Sequence, residues 1–318
     1  MKKGRVIKST GSFYDIQAED GKIYKAKIRG KFRLKNLKTT NPVAVGDWVM
    51  FEIKPDGMAV IKEILPRKNH LLRKSTNLSK KYHILASNID QVFVIYTPKY
   101  PETLLSFLDR ILLSAEAYHI PVKLLINKMD LFKDDAEALD KIENFKRIYS
   151  KTGYPILEVS AKTGENLDKL KDWMKDQVSM FTGNSGVGKS SLINAVVPGL
   201  NIKTKPVSEV HAQGRHTTTF AQMYPLPFGG YIIDTPGVRA FGTVESEASE
   251  VRNYFPEIRR FQHDCKFNNC MHINEPQCAV KQKVEEGEIP LERYRSYLDI
   301  VDEIRSGFSP YRQKKYDL

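Results

Sequence analysis

Apolar and polar positions change their rhythm twice along this chain. Over roughly the first seventy residues, short alternating runs are cut by turn signals: AEDGK at 18–22, NPVAVGD at 41–47 and KPDG at 54–57. Period-two alternation broken at such intervals predicts five short strands, enough for a small barrel such as an OB-fold. From about residue 73 to 243 the pattern becomes apolar runs separated by helical spacing. IDQVFVIYT (89–97), PVKLLINKMD (121–130), YPILEVSAK (154–162), VSMFTG (178–183) and YIIDTPG (231–237) read as buried strands. LLSFLDRILLSAEAY (104–118) and ENLDKLKDWMKD (165–176) read as helices. This predicts an α/β domain with a mainly parallel sheet, whose ligands sit at the carboxyl ends of the strands. After residue 244 the strand signal fades. Leu291, Tyr294, Leu298, Val301 and Ile304 recur at helical spacing and predict the core stripe of a helix. The terminal YRQKKYDL is basic and expected to be mobile.

Charge sharpens the reading of the N-terminal part. From Tyr24 onward, Lys25, Lys27, Arg29, Lys31, Arg33 and Lys35 alternate with Tyr24, Ala26, Ile28, Gly30, Phe32 and Leu34. On a strand this puts a wholly basic face opposite an apolar one, with Gly30 marking a bend. No acidic residue occurs between Lys22 and Gly46, and such a single-sign face suits phosphates of a nucleic acid. The chain's net charge of +12 points the same way. No run reaches the length of a membrane span and the N-terminus lacks an apolar signal core, so a cytoplasmic protein without membrane contact is expected. Cys265, Cys270 and Cys278 are the three cysteines, and all lie in one short window. An odd number in a leaderless chain disfavours disulfides, and their clustering points to metal.

Residues 183–190, GNSGVGKS, fit the phosphate-binding pattern G-x-x-x-x-G-K-[ST]. Gly183, Asn184, Ser185, Gly186, Val187 and Gly188 supply a loop whose backbone N–H groups can turn toward phosphates. Lys189 brings charge to the outer phosphates, Ser190 offers a hydroxyl to Mg²⁺, and Ser191 continues into a helix whose N-terminus favours anions. DTPG at 234–237 follows an apolar run about fifty residues on. Asp234 is placed to hold Mg²⁺ through water, and Gly237 to donate its N–H to a γ-phosphate. NKMD (Asn127, Lys128, Met129, Asp130) ends another strand. The Asp130 carboxylate can accept from guanine N1–H and the exocyclic amine, a pair adenine does not offer. Asn127 can contact the base and pin the loop, and the Lys128 stem can lie over the ring. Ser160, Ala161 and Lys162 fit the loop that caps guanine O6. Together these motifs select GTP/GDP over adenine nucleotides.

The motifs are complete but rotated. The usual order of such GTPases begins with the phosphate loop; here NKMD and SAK come first, then the phosphate loop, the switch segment and DTPG. A fold tolerates this rotation when the old termini lie close together and the new break falls in an exposed connection. With GRHTTT (214–219), DTPGVRAF (234–241), LPRKNHLLR (65–73) and CKFNNCMHINEPQC (265–278), the chain resembles the circularly permuted bacterial RsgA (YjeQ) GTPase family over essentially its whole length. That resemblance implies a multidomain chain: an N-terminal OB-fold β-barrel (1–72), a central circularly permuted α/β P-loop GTPase domain (73–243) and a C-terminal, mostly helical zinc-binding domain (244–318). It implies GTP hydrolysis stimulated by the 30S ribosomal subunit, late 30S maturation, and contact with 16S rRNA. Nothing in the sequence argues for a dimer, so a monomer is expected. Cys265, Cys270, His272 and Cys278 have the spacing C-x₄-C-x-H-x₅-C, suited to one closed, structural tetrahedral zinc; the resemblance favours His272 over the nearby His263.

Where ordinary GTPases carry a water-orienting Gln after the DTxG motif, this chain has Val238, which cannot orient water. His216 in the switch segment is the candidate for that task. Thr217, Thr218 and Thr219 are the candidates for the switch threonine on Mg²⁺ and the γ-phosphate.

Overall fold

The computed structural model describes residues 1–28, 42–74, 82–200, 221–234 and 246–307. The N-terminal part is a closed five-stranded barrel: β1 (Lys2–Ser9), β2 (Tyr14–Ala18), β3 (Ile23–Ile28), β4 (Trp48–Ile53) and β5 (Ala59–Ile64). The strands run in the order β1-β2-β3-β5-β4, and β4 returns to β1. Among the described residues of the barrel, β3 and β5 are the one pair that runs parallel. Val6, Ile16, Ala26, Val49, Phe51 and Ile61 fill the interior with no exposed surface. Lys25 and Lys27 are exposed on either side of buried Ala26, as the alternation predicts. The rest of that basic run, from Arg29 to Lys35 with Gly30, lies outside the described residues, as does the basic tail at 311–318.

Beyond the barrel lies an element that the alternation does not announce. A two-stranded hairpin of β6 (His70–Lys74) and β7 (Tyr82–Ser87) leads to the main sheet. The strands of that sheet are β8 (Gln91–Tyr96), β9 (Val122–Ile126), β10 (Ile156–Glu158), β11 (Val178–Thr182), β12 (Gln222–Pro225) and β13 (Tyr231–Asp234). They lie in the order β10-β9-β8-β11-β13-β12. All pairings are parallel except that of β12, an unforeseen strand antiparallel to β13. Every residue of β8 is buried because both faces are covered. Val92, Val94 and Tyr96 join a core with helices α1 (Leu105–Ala117) and α2 (Ala136–Tyr149). Phe93 and Ile95 join another with α3 (Leu167–Met174) and α4 (Lys189–Val196).

Several contacts join the barrel to this sheet and to the hairpin, among them the Tyr231 hydroxyl of β13 donating to Gln17 Oε1 of β2 (2.8 Å). Lys8 of β1 pairs with Gln222 of β12. A buried knot forms around Asp47, whose carboxylate accepts from Arg67 Nε and Nη2 (both 2.6 Å), Ser87 Oγ (2.6 Å) and the Ala44 N–H (2.8 Å). Each of its lone pairs finds a donor, which makes a buried carboxylate tolerable.

The C-terminal part packs α5 (Pro256–Phe261), α6 (Ala279–Glu285) and α7 (Leu291–Ser306) around its own core, to which Leu113 of α1 also belongs. Tyr294 and Val301 are buried as the stripe predicts, but Leu291 is exposed, and Arg293, Tyr297 and Ile300 are buried beside them. The buried face is wider than the apolar stripe because α7 packs on two surfaces, its own domain and α1–α2. Arg293 carries the second contact. Its Nη1 donates to Asp109 Oδ1 of α1 (2.6 Å) and its Nε to Glu257 Oε1 of α5 (2.6 Å), while Tyr149 of α2 donates to the same Asp109 oxygen (2.6 Å). Arg110–Glu303, Arg147–Glu292 and Arg259–Glu116 ion pairs ring this contact. Among the described residues, no helix is long and apolar enough to cross a membrane.

Candidate nucleotide site and metal centre

Four of the predicted segments gather at one edge of the main sheet, the carboxyl ends of its parallel strands. The base loop, 127–130, follows β9. The 160–162 turn follows β10 after one further residue, Val159. The phosphate loop follows β11, and Asp234 closes β13. The rotated order is no obstacle, because β11 inserts between β8 and β13. Met180 lies level with Ile233, so Asp234 is level with Phe181, two residues before the phosphate loop.

Hydrogen bonds then tie the base loop to the phosphate loop. Asn127 is buried and donates from Nδ2 to Val187 O (2.8 Å). Lys128 takes a left-handed backbone (φ 68°) and donates to Gly186 O (2.7 Å). Gly188 sits at φ 94°, and a Cβ there would lie 2.5 Å from Asn127 Nδ2, inside the space that bond occupies. Only glycine meets both demands. Asn127 Oδ1 is buried without a hydrogen-bond partner among the described residues, as expected of a polar atom waiting for a ligand rather than for the protein.

Asp130 is oriented by Ser160, whose Oγ donates to Asp130 Oδ1 (2.6 Å) and accepts from the N–H groups of Lys162 and Thr163 (3.2 Å each). Ala161 is half-buried between them. The carboxylate plane is thereby set, with lone pairs on both oxygens left to accept from a planar pair of donors such as the guanine edge.

Lys189 opens α4 and curls over its own loop, donating to Gly183 O (2.8 Å) and Asn184 O (2.6 Å). Burial brings its pKa down to about 8, a shift that phosphate charge would oppose. Ser190 is half-buried, and Ser185 and Ser191 are exposed. Burial raises the Asp234 carboxyl above its ordinary value, a desolvation that a divalent cation would relieve. His216, Thr217, Thr218, Thr219, Gly237 and Val238 lie outside the described residues. Sequence reasoning missed the loop 97–103 after β8. Its prolines and polar residues at the end of a buried strand were the available signal.

The second cluster is the cysteine window. The ligand atoms of Cys265, Cys270, His272 and Cys278 all lie within 4.8 Å of one another, and all four residues are buried. Cys265 Sγ is 3.5 Å from His272 Nδ1 and 3.9 Å from Cys278 Sγ, and His272 Nδ1 is 3.4 Å from Cys278 Sγ. A tetrahedron with metal–sulfur bonds of about 2.3 Å has sulfur–sulfur edges of about 3.8 Å, so the donor set matches zinc in size as well as in chemistry. The knuckle is held from outside. Arg252 donates to Cys270 O (2.8 Å), Tyr297 to Met271 O (2.6 Å) and Tyr294 to His272 O (2.5 Å). The Glu275 carboxylate accepts from the N–H groups of Met271, Ile273 and Asn274. With every coordination position supplied by the chain, the centre suits a structural role.

A family model described as RsgA GTPase matches residues 64–244, and one described as RsgA N-terminal domain matches residues 3–61. The curated small ribosomal subunit biogenesis GTPase RsgA of Bacteroides fragilis is 49% identical over 305 residues, covering 96% of this chain and 98% of that protein. The protein of the same name from Christiangramia forsetii is 50% identical over 303 residues, covering 94% and 96%. Among solved structures, YjeQ from Thermotoga maritima superposes with a TM-score of 0.79 at 37% identity, covering 95% of this chain and 98% of that one. YloQ, a circularly permuted GTPase, superposes with a TM-score of 0.75 at 31% identity, covering 98% and 97%. On these matches, which cover most of the length of this chain and of its relatives, the chain belongs to the RsgA family of circularly permuted GTP hydrolases.

Proposed function

We propose that this chain acts in late maturation of the small ribosomal subunit as a GTPase stimulated by the 30S particle, working in the cytoplasm as a monomer. The observation that carries the nucleotide reading is the Asn127–Val187 bond, which ties base recognition to phosphate recognition across the rotation. The names of the relatives support the ribosomal role. The division into a barrel (1–72), a GTPase domain (73–243) and a zinc domain (244–318) is part of the same reading.

In this reading Asp130 and Asn127 hold the guanine, and the 183–188 backbone and Lys189 hold the phosphates. Ser190 and Asp234 offer oxygens to Mg²⁺, which when bound neutralises charge on the outer phosphates. His216 orients the attacking water, and a threonine among 217–219, with Thr218 at the centre, binds at the γ-phosphate. The barrel binds 16S rRNA. Exposed Lys25 and Lys27 support this, since the Lys27 ammonium lies 4.6 Å from the centre of the Phe13 ring and Phe13 is itself exposed. A cation beside an open aromatic ring suits phosphate and base together.

Steady-state phosphate release from GTP, alone and with purified 30S or 50S subunits, tests the proposal. A large rise with 30S only, absent with ATP, is the expected result. A rate indifferent to both subunits would detach the chain from ribosome maturation. Zinc is tested separately: metal analysis of the purified chain is expected to return about one zinc per chain. Cys270→Ser should lower both the zinc content and the melting temperature, whereas full zinc content in that variant would remove Cys270 from the ligand set.

A further inference from the structure

The loop after β8, residues 97–103, carries no nucleotide motif, yet it touches both nucleotide-binding loops. Lys128 of the base loop donates to Tyr100 O as well as to Gly186 O of the phosphate loop. Pro101 lies directly over Gly186: a Cβ at that glycine would stand 3.3 Å from Pro101 Cδ. The loop is built rather than loosely draped. Thr97 has no exposed surface, and its Oγ1 donates to Pro101 O (2.6 Å). The Thr103 N–H donates to Thr97 O (2.9 Å). Tyr100 holds φ 55°, a left-handed conformation that a non-glycine residue keeps only where its surroundings impose it.

On the outer side the loop is anchored by Lys99. Its Nζ donates to both carboxylate oxygens of Asp135 (2.9 Å each) and lies 2.8 Å from Glu137 Oε2. Asp135 caps α2 by accepting from the Ala138 N–H (3.0 Å), and α2 begins six residues after Asp130. The 97–103 loop is therefore held at two points, by Lys128 over the phosphate loop and by Lys99 at the helix that follows the base loop. Hydrogen bonds to Glu137 and Asp135 raise the Lys99 pKa, so the ammonium stays charged throughout the working range.

We propose that Lys99 is a positioning residue for GTP. By bolting loop 97–103 to the start of α2, it holds Lys128 and the phosphate loop at the separation that one guanine nucleotide requires. The proposal rests on reading 127–130 and 183–190 as the nucleotide site. Lys99 touches neither the base nor the phosphates in this scheme, so its loss weakens binding and base selection and leaves the chemical step alone.

The test uses the full chain with Lys99→Met, Lys99→Arg and Thr97→Val, the last removing the bond to Pro101 O at nearly constant shape. The measurements are the Kd for GDP, kcat and KM for GTP, and the ratio of kcat/KM for GTP over ITP, whose base lacks the exocyclic amine that Asp130 would accept from. Lys99→Met is expected to raise both the GDP Kd and the GTP KM about fivefold, a partly exposed ion-pair network being worth no more. It should lower the GTP-over-ITP preference, leave kcat within about twofold, and leave the nucleotide-free melting temperature unmoved. Lys99→Arg should recover most of the affinity, and Thr97→Val should move the same quantities in the same direction. An unchanged Kd and preference in Lys99→Met would overturn the proposal. So would a fall in kcat at constant KM, equal losses for GTP and ITP, or a melting-temperature drop that accounts for the affinity loss. Asp130→Asn separates the two levels. If that variant loses GDP binding while Lys99→Met does not, only the positioning role falls; if Asp130→Asn binds GDP normally, the site reading falls and the Lys99 role with it.

Discussion

Lys189→Ala is expected to lower kcat/KM for GTP roughly thousandfold, the scale seen when one fixed charge is removed from a phosphoryl-transfer site. The ammonium already lies in the mouth of the loop, bonded to Gly183 O and Asn184 O, and its burial has lowered its pKa to about 8. A cation held there at some desolvation cost is one that incoming phosphate stabilises, most strongly where negative charge accumulates during transfer. The backbone N–H groups of the loop and the base contacts survive the substitution. GDP should therefore still bind, more weakly, while turnover is lost. Equilibrium titration with GDP beside single-turnover phosphate release separates the two. A variant that hydrolyses GTP within tenfold of the parent rate would show that the loop at 183–190 is not where the reaction occurs.

The second large effect falls far from the nucleotide. Arg293→Ala should destabilise the docking of the C-terminal helices by about 3–5 kcal/mol, because it leaves buried carboxylates without their cation. Asp109 and Glu257 are 1% and 0% exposed, and each receives a 2.6 Å bond from the same guanidinium. Burial alone would push the Arg293 pKa down. The charges of Asp109 and Glu257 more than reverse this and carry it well above its ordinary value. Glu257 Oε2 and Arg293 Nη2 find no partner among the described residues, so the network is already under-satisfied and has little reserve. Urea unfolding followed by hydrogen exchange is the measurement. Faster exchange is expected around Leu113 of α1, which belongs to the core of the C-terminal helices, and in α7. An unfolding curve superposable on that of the parent would show that the apolar contact alone carries the docking.

Much of this architecture was legible because its signals are local. The apolar runs at 91–96, 122–126 and 178–182 each end where a polar or glycine-rich loop must begin, so strand and motif could be placed together. Residues 24–28 announced their two faces by simple alternation. What stayed hidden depends on partners distant in sequence. The β6–β7 hairpin carries charges and two histidines in place of a clean alternation. β12 is four residues long and is a strand because β13 and β1 lie beside it. The buried face of α7 was read as an apolar stripe, and no periodicity reveals that Arg293 is buried when its counter-charges lie 184 and 36 residues away. Loop 97–103 went unremarked for a related reason: its role lies in Tyr100 O and Pro101 Cδ, and neither a carbonyl nor a ring edge leaves a motif.

The placement of β11 between β8 and β13 also bears on how the chain is made. As the polypeptide leaves a ribosome, β8, β9 and β10 emerge with the 127–130 and 160–162 loops, and α1 to α3 lie within the same stretch. One side of β8, a strand with all six residues buried in the finished fold, stays open until residues 178–182 arrive. An apolar edge left unpaired for that interval invites association with other nascent chains. At synthesis rates of about 5–20 residues per second, the roughly eighty residues between β8 and β11 keep it open for several seconds. In the unrotated order the strand before the phosphate loop would come first, and its own edge, equally buried in the finished fold, would be the one left waiting for β8. The rotation therefore changes which strand waits for its partner during synthesis and leaves the finished sheet the same, so its consequence belongs to the order of folding and not to the stability of the folded molecule.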